Sequence, residues 1–371
     1  MPKQTQSRIE NKVLSCGPID AVCSRVILPS RTETVLTACG QDAVGLEQWL
    51  HDELMTDQIR PVHRFVFAGD PYFQALGKAY LKEDGTLLRH KEAGLQEGGI
   101  SSVQATAITG VELLTLRQDG RNVGVVYEDD QARYCRLSGV IPLDLTASRE
   151  GQTRAVLEML DWMLGTNGFQ FTDTVRTWFY LDHLLDWYKG FNEVRTRFFE
   201  ERGVFQKLVP ASTGIGATNP WGAALTCDLL AIQPKSAEVR IEAVPSPLQN
   251  PALDYASSFS RAVEIQLPSC RSLLISGTAS IDPAGKSQYE GDPARQIERT
   301  LDVVAALLES RGMTWRDVTR GIAYFADIAD RTTFNAISRT RGLPGFPLAL
   351  SHADVCRHDL LFELEVDAVK V

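Results

Sequence analysis

The chain has 371 residues, of which 44% are hydrophobic and 23% are charged, a composition typical of a globular protein with about two domains. Its net charge of -9 argues against nucleic-acid binding, because phosphate contacts require clustered lysine and arginine. The seven cysteines are scattered without a C-x-x-C pair, which is typical of reduced thiols and indicates a cytoplasmic protein. The sequence has no apolar run of about 18 residues, so we expect no membrane segment.

The N-terminal residues, 1 to about 100, show only weak periodicity. The segment DAVGLEQWLHDELM predicts a helix. We expect the remainder of this region to form extra strands that lead into the first domain.

Two later segments of the chain resemble each other, which predicts an internal repeat. The clearest match is GFNEVRTRF at 190–198 with TFNAISRTR at 333–341. The segments SGVIP at 138–142 and SGTAS at 276–280 also align. Each copy predicts the order β-α-β-α-β behind a strand hairpin, with helices at 152–164, 186–201, 294–310 and 331–341 and strands at 174–181 and 318–326.

The repeat predicts an α+β fold of two tandem domains, with helices packed on one face of each sheet. We expect a first domain at 1–234 with its repeat core at about 120–234, a proline-rich linker at 235–258 and a second domain at 259–371. The uncovered sheet faces need partners. The chain is therefore expected to be a monomer whose sheets cover each other or a trimer-like homo-oligomer.

The C-terminal segment DVCRHDLLFELEVDA combines an apolar alternation from Leu360 to Ala368 with several acids. We expect a hairpin whose polar face collects His352, Asp354, Cys356, Glu363 and Glu365. Neighbouring carboxylates repel each other, so this face either meets bulk water or forms a site.

The second copy, including LLISGTASIDPAGKSQYEGDPARQIERTL, resembles the RidA/YjgF family, whose domain is this β-α-β-α-β unit and which builds trimers with ligand clefts between sheets. The resemblance covers 250–371 well and 120–234 more weakly. Imine deaminases of this family carry an arginine two residues after the proline that opens the last hairpin. Here Pro210 and Pro347 are followed at that position by Ser212 and Ala349, which argues against ordinary imine deamination.

A tandem of two such domains with SGTAS at 276–280 and C-R-x-D-L-L-x-E at 356–363 resembles the chorismatases, which release pyruvate from chorismate. The resemblance implies that Glu363 protonates the enolpyruvyl group and that Cys356 assists aromatisation. It also implies that Gly277, together with this cysteine, marks the branch that forms 3-hydroxybenzoate. No cofactor and no metal are implied.

The substrate implied by this resemblance is a small anionic cyclohexadiene, and its carboxylates require guanidinium partners. Arg176 and Arg320 occupy equivalent strand positions in the two copies, followed four residues later by Tyr180 and Tyr324. Side chains four apart on a strand share a face. We expect these four residues to bind the substrate.

Further substrate contacts are expected from backbone groups. The segment PASTGIGATNPWG at 210–222, including Gly214 and Gly216, offers N–H groups that can line a cleft. In SGTAS, Thr278 and Ala279 join Gly277 as expected binding residues. We expect Arg195 and Arg197, on the predicted helix after GFN, to be surface charges.

Two other functions are compatible with the same residues. One is a Rid-type hydrolase of another imine or enol substrate, and the other is a non-catalytic protein that binds a small ligand. His352, Asp354, Cys356 and His358 have the residue types of a metal site, but tetrahedral spacing is not evident in the sequence, and we predict no metal.

Overall fold

The computed structural model of the chain describes residues 6–14, 19–56, 60–69, 73, 86–89, 101–255 and 257–371. Over these residues the strands form three six-stranded sheets. The second and third sheets, with their helices, are the two tandem α+β units that the repeat predicts. The described N-terminal residues form the first sheet, which is a separate unit. They are therefore not extra strands of the first predicted domain.

The first unit contains β1 (Arg8–Val13), β2 (Asp20–Ile27), β3 (Thr32–Gly40), α1 (Ala43–Thr56), β4 (Pro61–Ala68), β5 (Thr86–Arg89) and β6 (Ser101–Thr109). Helix α1 corresponds to the segment DAVGLEQWLHDELM and confirms that prediction.

The second unit contains β7 (Leu114–Gln118), β8 (Arg121–Glu128), β9 (Ala132–Val140), α2 (Arg149–Thr166), β10 (Thr174–Leu181), α3 (Leu184–Glu201), α4 (Val204–Lys207), β11 (Ala211–Gly216) and β12 (Leu225–Pro234). A 3-10 turn, Phe171–Asp173, precedes β10. Helix α2 begins after Ser148, whose hydroxyl accepts the N–H of Gly151 at 3.1 Å and so caps the helix.

The third unit contains β13 (Arg240–Val244), β14 (Ala262–Leu267), β15 (Cys270–Ala279), α5 (Pro293–Ser310), β16 (Val318–Phe325), α6 (Arg331–Thr340), β17 (Leu348–His352) and β18 (Phe362–Lys370). Short 3-10 turns occur at Ala252–Tyr255, Trp315–Asp317 and Ile328–Asp330. Strand β13 lies within 235–258, so part of the expected linker is the first strand of the third sheet.

All three sheets have the same topology. The first has the order β1-β2-β3-β6-β4-β5, and the others repeat it as β7-β8-β9-β12-β10-β11 and β13-β14-β15-β18-β16-β17. In each sheet the two strands at one end are parallel, and the remaining pairs are antiparallel. The expected C-terminal hairpin does not form, because β16 lies between β17 and β18.

The helices cover one face of each sheet. In the third unit, α5 buries Ile297, Leu301, Val304 and Leu308 against that sheet. The opposite, helix-free faces of all three sheets meet in one central core. Its aromatic rings include Phe67, Tyr180 and Tyr324, one from each sheet, with the ring centroid of Phe67 6.4 Å from Tyr180 and 6.2 Å from Tyr324. Burying each such ring contributes about 1.5–3 kcal/mol.

Within the described residues, no helix is both long and apolar enough to cross a membrane.

Candidate active site

The candidate site lies between the second and third units, where the edge strand β11 runs beside β15. The strand is bridged to the third unit at both ends, since Ala211 pairs with Ser260 and Gly216 pairs with Asp354. The N–H of Gly216 donates to the carbonyl oxygen of Asp354 at 2.8 Å. A cavity of about 60 Å³ opens between these bridges, beside Gly214.

Five of the expected site residues line this cavity: Gly214, Gly277, Ala279, Cys356 and Glu363. Thr278 lies between the lining residues Gly277 and Ala279, and Gly216 lies two residues after Gly214, but neither lines the cavity itself. The Thr278 hydroxyl donates to the carbonyl oxygen of Ser276 at 2.8 Å, and Gly216 forms the bridge described above.

Glu363 reaches the cavity from β18 and is only 5% exposed. Burial, together with the negative charge of Glu365, raises the pKa of Glu363 to about 8, against an opposing effect of Arg176. The carboxyl group is therefore protonated at neutral pH. A neutral carboxylic acid that faces a cavity can act as a general acid.

The second acid of the strand, Glu365, lies in a contrasting environment. It accepts hydrogen bonds from Arg176 Nη2 at 2.8 Å, Arg320 Nη2 at 2.5 Å and Trp178 Nε1 at 2.9 Å, and a further one from the hydroxyl of Thr213. Burial alone would favour the neutral form, but the two guanidinium groups and the hydroxyl hold the pKa of Glu365 below its ordinary value. Glu363 and Glu365 therefore hold opposite protonation states.

Gly277 leaves room for the acid. A β-carbon at this position would overlap with Oε1 of Glu363, so the carboxyl group can occupy its place only beside a glycine. The register of β15 with β18 shifts between Ile275 and Thr278, and at this bulge the N–H of Gly277 donates to the hydroxyl of Thr213 at 3.1 Å.

Cys356 and Tyr188 add two weak acids to the same cavity. Burial, reinforced by Glu363, raises the pKa of the Cys356 thiol to about 12. Burial also raises the pKa of Tyr188, with smaller contributions from Cys356 and Glu363. Both groups are therefore protonated at neutral pH and can donate hydrogen bonds.

Three arginines that we did not expect in the site line the cavity: Arg195, Arg261 and Arg357. Arg261 is held by Asn250, whose carbonyl oxygen accepts from Nε at 3.0 Å and from Nη2 at 2.9 Å. Arg357 donates from Nη1 to the carbonyl oxygen of Gly285 at 2.5 Å. These contacts fix two positive charges at the cavity wall.

Arg195 is 2% exposed, so its expected role as a surface charge is wrong. Its Nη2 donates to Asn192 at 2.7 Å, whereas its Nε has no hydrogen-bond partner among the described residues. The sequence contained the signal, because Arg195 follows Trp187 and Phe191 at steps of four along the buried stripe of α3.

The structure does not bring Arg176, Tyr180, Arg320 and Tyr324 to the cavity, which corrects their expected role. They share a face, as expected, but it is the helix-free face, which is buried in the central core. Both arginines already bind Glu365, and the two tyrosine hydroxyl oxygens lie 3.5 Å apart. The charges of both arginines are paired with Glu365 within the protein.

The other two junctions between units lack the acid. By their registers with β10 and β4, Thr226 and Ser102 occupy the position that Glu363 has against β16. At the junction of the third and first units, the Ser102 hydroxyl donates to the carbonyl oxygen of Leu350 at 2.9 Å and accepts its N–H at 3.0 Å. Ser102 therefore hydrogen-bonds to both backbone groups of Leu350, the residue of β17 that corresponds to Gly214 of β11.

Over the part of the chain that the structure describes, no group of three or more His, Cys, Asp or Glu side chains is arranged to hold a metal ion.

Comparison with known proteins identifies the C-terminal unit. Residues 250–369 match the family described as endoribonuclease L-PSP. This unit is a domain of the RidA/YjgF family. The match confirms the resemblance on which the fold prediction depends.

Longer similarities extend beyond the RidA/YjgF domain. A chorismatase of Streptomyces hygroscopicus is 27% identical over 341 residues, which are 80% of this chain and 93% of that protein. A chorismatase of Streptomyces rapamycinicus is 26% identical over 340 residues, covering 80% and 97% of the two chains. A crystal structure of a chorismatase superposes with a TM-score of 0.61 and 19% identity over 83% of this chain and 92% of that chain, which shows a common fold.

Proposed function

We propose that the chain is a chorismatase-like enzyme that releases pyruvate from chorismate, with 3-hydroxybenzoate as the aromatic product. The observation that carries this proposal is the neutral, buried carboxyl group of Glu363 in a cavity lined by three arginines. Similarity to two chorismatases over 80% of the chain supports the substrate class.

The charges of the cavity suit a dianion. Its lining contains Arg195, Arg261 and Arg357 and one carboxyl group, that of Glu363, which is neutral at pH 7. The two carboxylates of chorismate would bind to these guanidinium groups in charge-assisted hydrogen bonds. The free Nε of Arg195 offers such a donor.

The first chemical step is a proton transfer. Glu363 gives its proton to the terminal methylene carbon of the enolpyruvyl group, and the electron pair of the carbon–carbon double bond forms the new C–H bond. The adjacent carbon becomes an oxocarbenium ion, stabilised by its ether oxygen and by the carboxylate that now remains on Glu363. Cleavage of the bond between the ether oxygen and the ring then releases pyruvate, because the electron pair of this bond stays with the oxygen as its carbonyl group forms, and the ring carbon is left as a cation.

The second step decides the ring product. Pyruvate and a hydroxybenzoate together contain the atoms of chorismate, so the aromatising route consumes no water overall, whereas a dihydrodiol product consumes one water molecule per turnover. Cys356 lines the cavity with Glu363 and carries a protonated thiol. To give 3-hydroxybenzoate, the hydroxyl oxygen of the neighbouring ring carbon must bond to the cationic carbon with loss of its proton, and its bond to the neighbouring carbon must then break. Loss of the hydrogen from the carbon that now bears the oxygen restores the aromatic ring, and one proton is returned overall to the carboxylate of Glu363. We assign Cys356 to these proton transfers.

A second candidate function is hydrolysis of another imine or enol substrate by a Rid-type mechanism. Ser212 occupies the position of the family's substrate-binding arginine and lines the same cavity. A serine cannot form the bidentate contact of an arginine with a carboxylate. This difference favours chorismate, whose carboxylates have the other three arginines available.

The proposal is tested by mixing the purified protein with chorismate and following pyruvate and the ultraviolet absorbance of the ring together. We expect equal amounts of pyruvate and 3-hydroxybenzoate. Release of pyruvate with a dihydrodiol would overturn the product assignment, and no pyruvate at all would overturn the function. Imines of small amino acids, assayed in parallel by ammonia release, test the second candidate.

A further inference from the structure

The hydroxyl group of Thr213 forms hydrogen bonds with residues of both units that form the cavity. Thr213 lies on β11 and is 2% exposed. Its hydroxyl accepts from Arg176 Nη2 at 2.8 Å and from the N–H of Gly277 at 3.1 Å, and it donates to Glu365. A hydroxyl has one donor and two acceptor sites, so every one of them is used.

The hydrogen bond from Gly277 to Thr213 also affects Glu363, because the backbone of Gly277 lies against its carboxyl group. Because β15 is bulged at Gly277, the N–H of this residue is bonded to the other unit. The Gly277 peptide is also the surface against which the carboxyl group of Glu363 lies, since a methyl group there would overlap with Oε1. A shift of that peptide would move the surface that supports the carboxyl group.

We propose that Thr213 is a positioning residue, whose hydroxyl fixes the Gly277 peptide and thereby holds the carboxyl group of Glu363 in the orientation needed for proton transfer. The proposal rests on the proposed function of the cavity and adds a residue to it. Thr213 acts from outside the cavity lining, because it touches Gly277, Arg176 and Glu365 rather than the substrate space.

Other bonds keep the surrounding charges in place when the hydroxyl is lost. Glu365 retains Arg176, Arg320 and Trp178 as donors. The N–H of Gly277, by contrast, donates to this hydroxyl at the bulge, where the register of β15 with β18 is interrupted. Removal of the hydroxyl therefore acts mainly on the peptide beside Glu363.

The test compares Thr213→Val, which keeps the shape and removes the hydroxyl, with Thr213→Ser, which keeps the hydroxyl. We expect kcat for pyruvate release to fall roughly 10- to 100-fold in Thr213→Val, because small misplacements of a reacting group have effects of this size. KM should change by less than about twofold, since the arginines are untouched. Thr213→Ser should restore kcat to within about threefold of wild type.

A matched control separates positioning from loss of stability. Thr153 is also buried, and its hydroxyl makes one hydrogen bond, to the carbonyl oxygen of Arg149 at 2.9 Å in α2. Thr153→Val should lower the melting temperature and leave kcat unchanged. If Thr213→Val does not fold, Thr213→Ala is the second hydroxyl-free variant, and it is compared with Thr213→Ser in the same way.

Wild-type kcat in the hydroxyl-free variant, or equal losses in the valine and serine variants, would overturn the proposal. Failure of the proposed function is recognised separately, because wild type itself would then release no pyruvate. In that case crystal structures decide: we expect Gly277 and the Glu363 carboxyl group to be displaced in Thr213→Val and retained in Thr213→Ser. An unchanged geometry in both variants would reject the positioning role.

Discussion

Glu363 and Glu365 stand two residues apart on β18, and their surroundings shift their pKa values in opposite directions. The first faces a cavity, and the second accepts hydrogen bonds from four side chains, including Arg176 and Thr213. Environments that push the pKa values of two acids apart commonly mark a catalytic acid and its charged neighbour. The alternation of these acids is visible in the sequence, whereas three of the donors to Glu365, Arg176, Trp178 and Thr213, come from the second unit and are visible only in the fold.

The thiol of Cys356 should act after pyruvate release has begun. We expect Cys356→Ala to release pyruvate while the aromatic product gives way to a hydrated diene, because the acid that starts the reaction is unchanged. Separation of the ring products by liquid chromatography measures the ratio. Cys39→Ala is the control, since Cys39 contacts Ser102 at the junction where the acid is absent. An unchanged product ratio in Cys356→Ala would remove this residue from the second step.

The guanidinium group of Arg195 should bind the substrate. Arg195→Lys keeps a positive charge but loses the planar fork, so we expect KM for chorismate to rise about tenfold, the effect of losing one hydrogen bond to a charged group. The change in kcat should be much smaller. Arg197→Lys, on the exposed side of the same helix, is the control. Equal KM values for all three proteins would exclude Arg195 from substrate binding.

The arginines show which part of a site a sequence can reveal. Arg176 and Arg320 were correctly placed on equivalent strand positions, but alternation alone cannot distinguish a face that lines a cleft from one that closes a core. Arg195 was missed because a charged residue on a helix is usually exposed. Its position on the stripe of Trp187 and Phe191 was the stronger indication.

At the scale of elements, the site depends on where two strands stop pairing. Strand β11 has backbone bridges to the third unit at Ala211 and Gly216, and side-chain hydroxyl groups make the contacts with β15 between them. Strand β15 is bulged at Gly277. The SGTAS motif at 276–280 contains the bulge, so the resemblance pointed to the residues of β15 that border the cavity. The expected hairpin failed because the period-2 pattern assigns faces and not neighbours, and β16 takes the place between β17 and β18.

Adding one methyl group at the bulge should disable the acid. In Gly277→Ala the new methyl group overlaps with Oε1 of Glu363, so the carboxyl group must rotate away. We expect kcat for pyruvate release to fall by about 100-fold or more, the usual range for loss of general acid catalysis. Gly165→Ala is the control, because nothing lies near its added methyl group. A wild-type rate in Gly277→Ala would show that the carboxyl group has room to function elsewhere.

Across the whole molecule, one chain builds three sheets of the same topology around a shared core. Polar contacts join each pair of units: His63 with Asp228 at 2.8 Å, Arg176 with Glu365 at 2.8 Å, and Gln104 with the carbonyl oxygen of Gly321 at 3.0 Å. The first unit cannot be recognised as a third copy from the sequence, because these positions hold different residue types in each unit. Burial requires apolar periodicity but not sequence identity, so a sheet can persist after its repeat signal has faded.

The internal threefold arrangement should make the protein a monomer. Each helix-free face is covered by the other two sheets, so no open face of the described residues remains for another chain. We expect light scattering after size-exclusion chromatography to give a mass near 41.0 kDa at all concentrations. A stable trimer of about threefold that mass would show that further surfaces of the chain assemble.

The proposed reaction depends most on Glu363 as the proton donor, and the pH dependence of pyruvate release from chorismate tests this role most directly. Wild type should be active below about pH 8 and lose activity above it, because Glu363 must be protonated and its pKa is about 8. Glu363→Gln keeps the shape and cannot deliver a proton, so its rate should be lower by 10²–10⁴-fold, about the size of general acid catalysis, with no titration near pH 8. Wild-type rates of pyruvate release from Glu363→Gln would contradict the assignment outright.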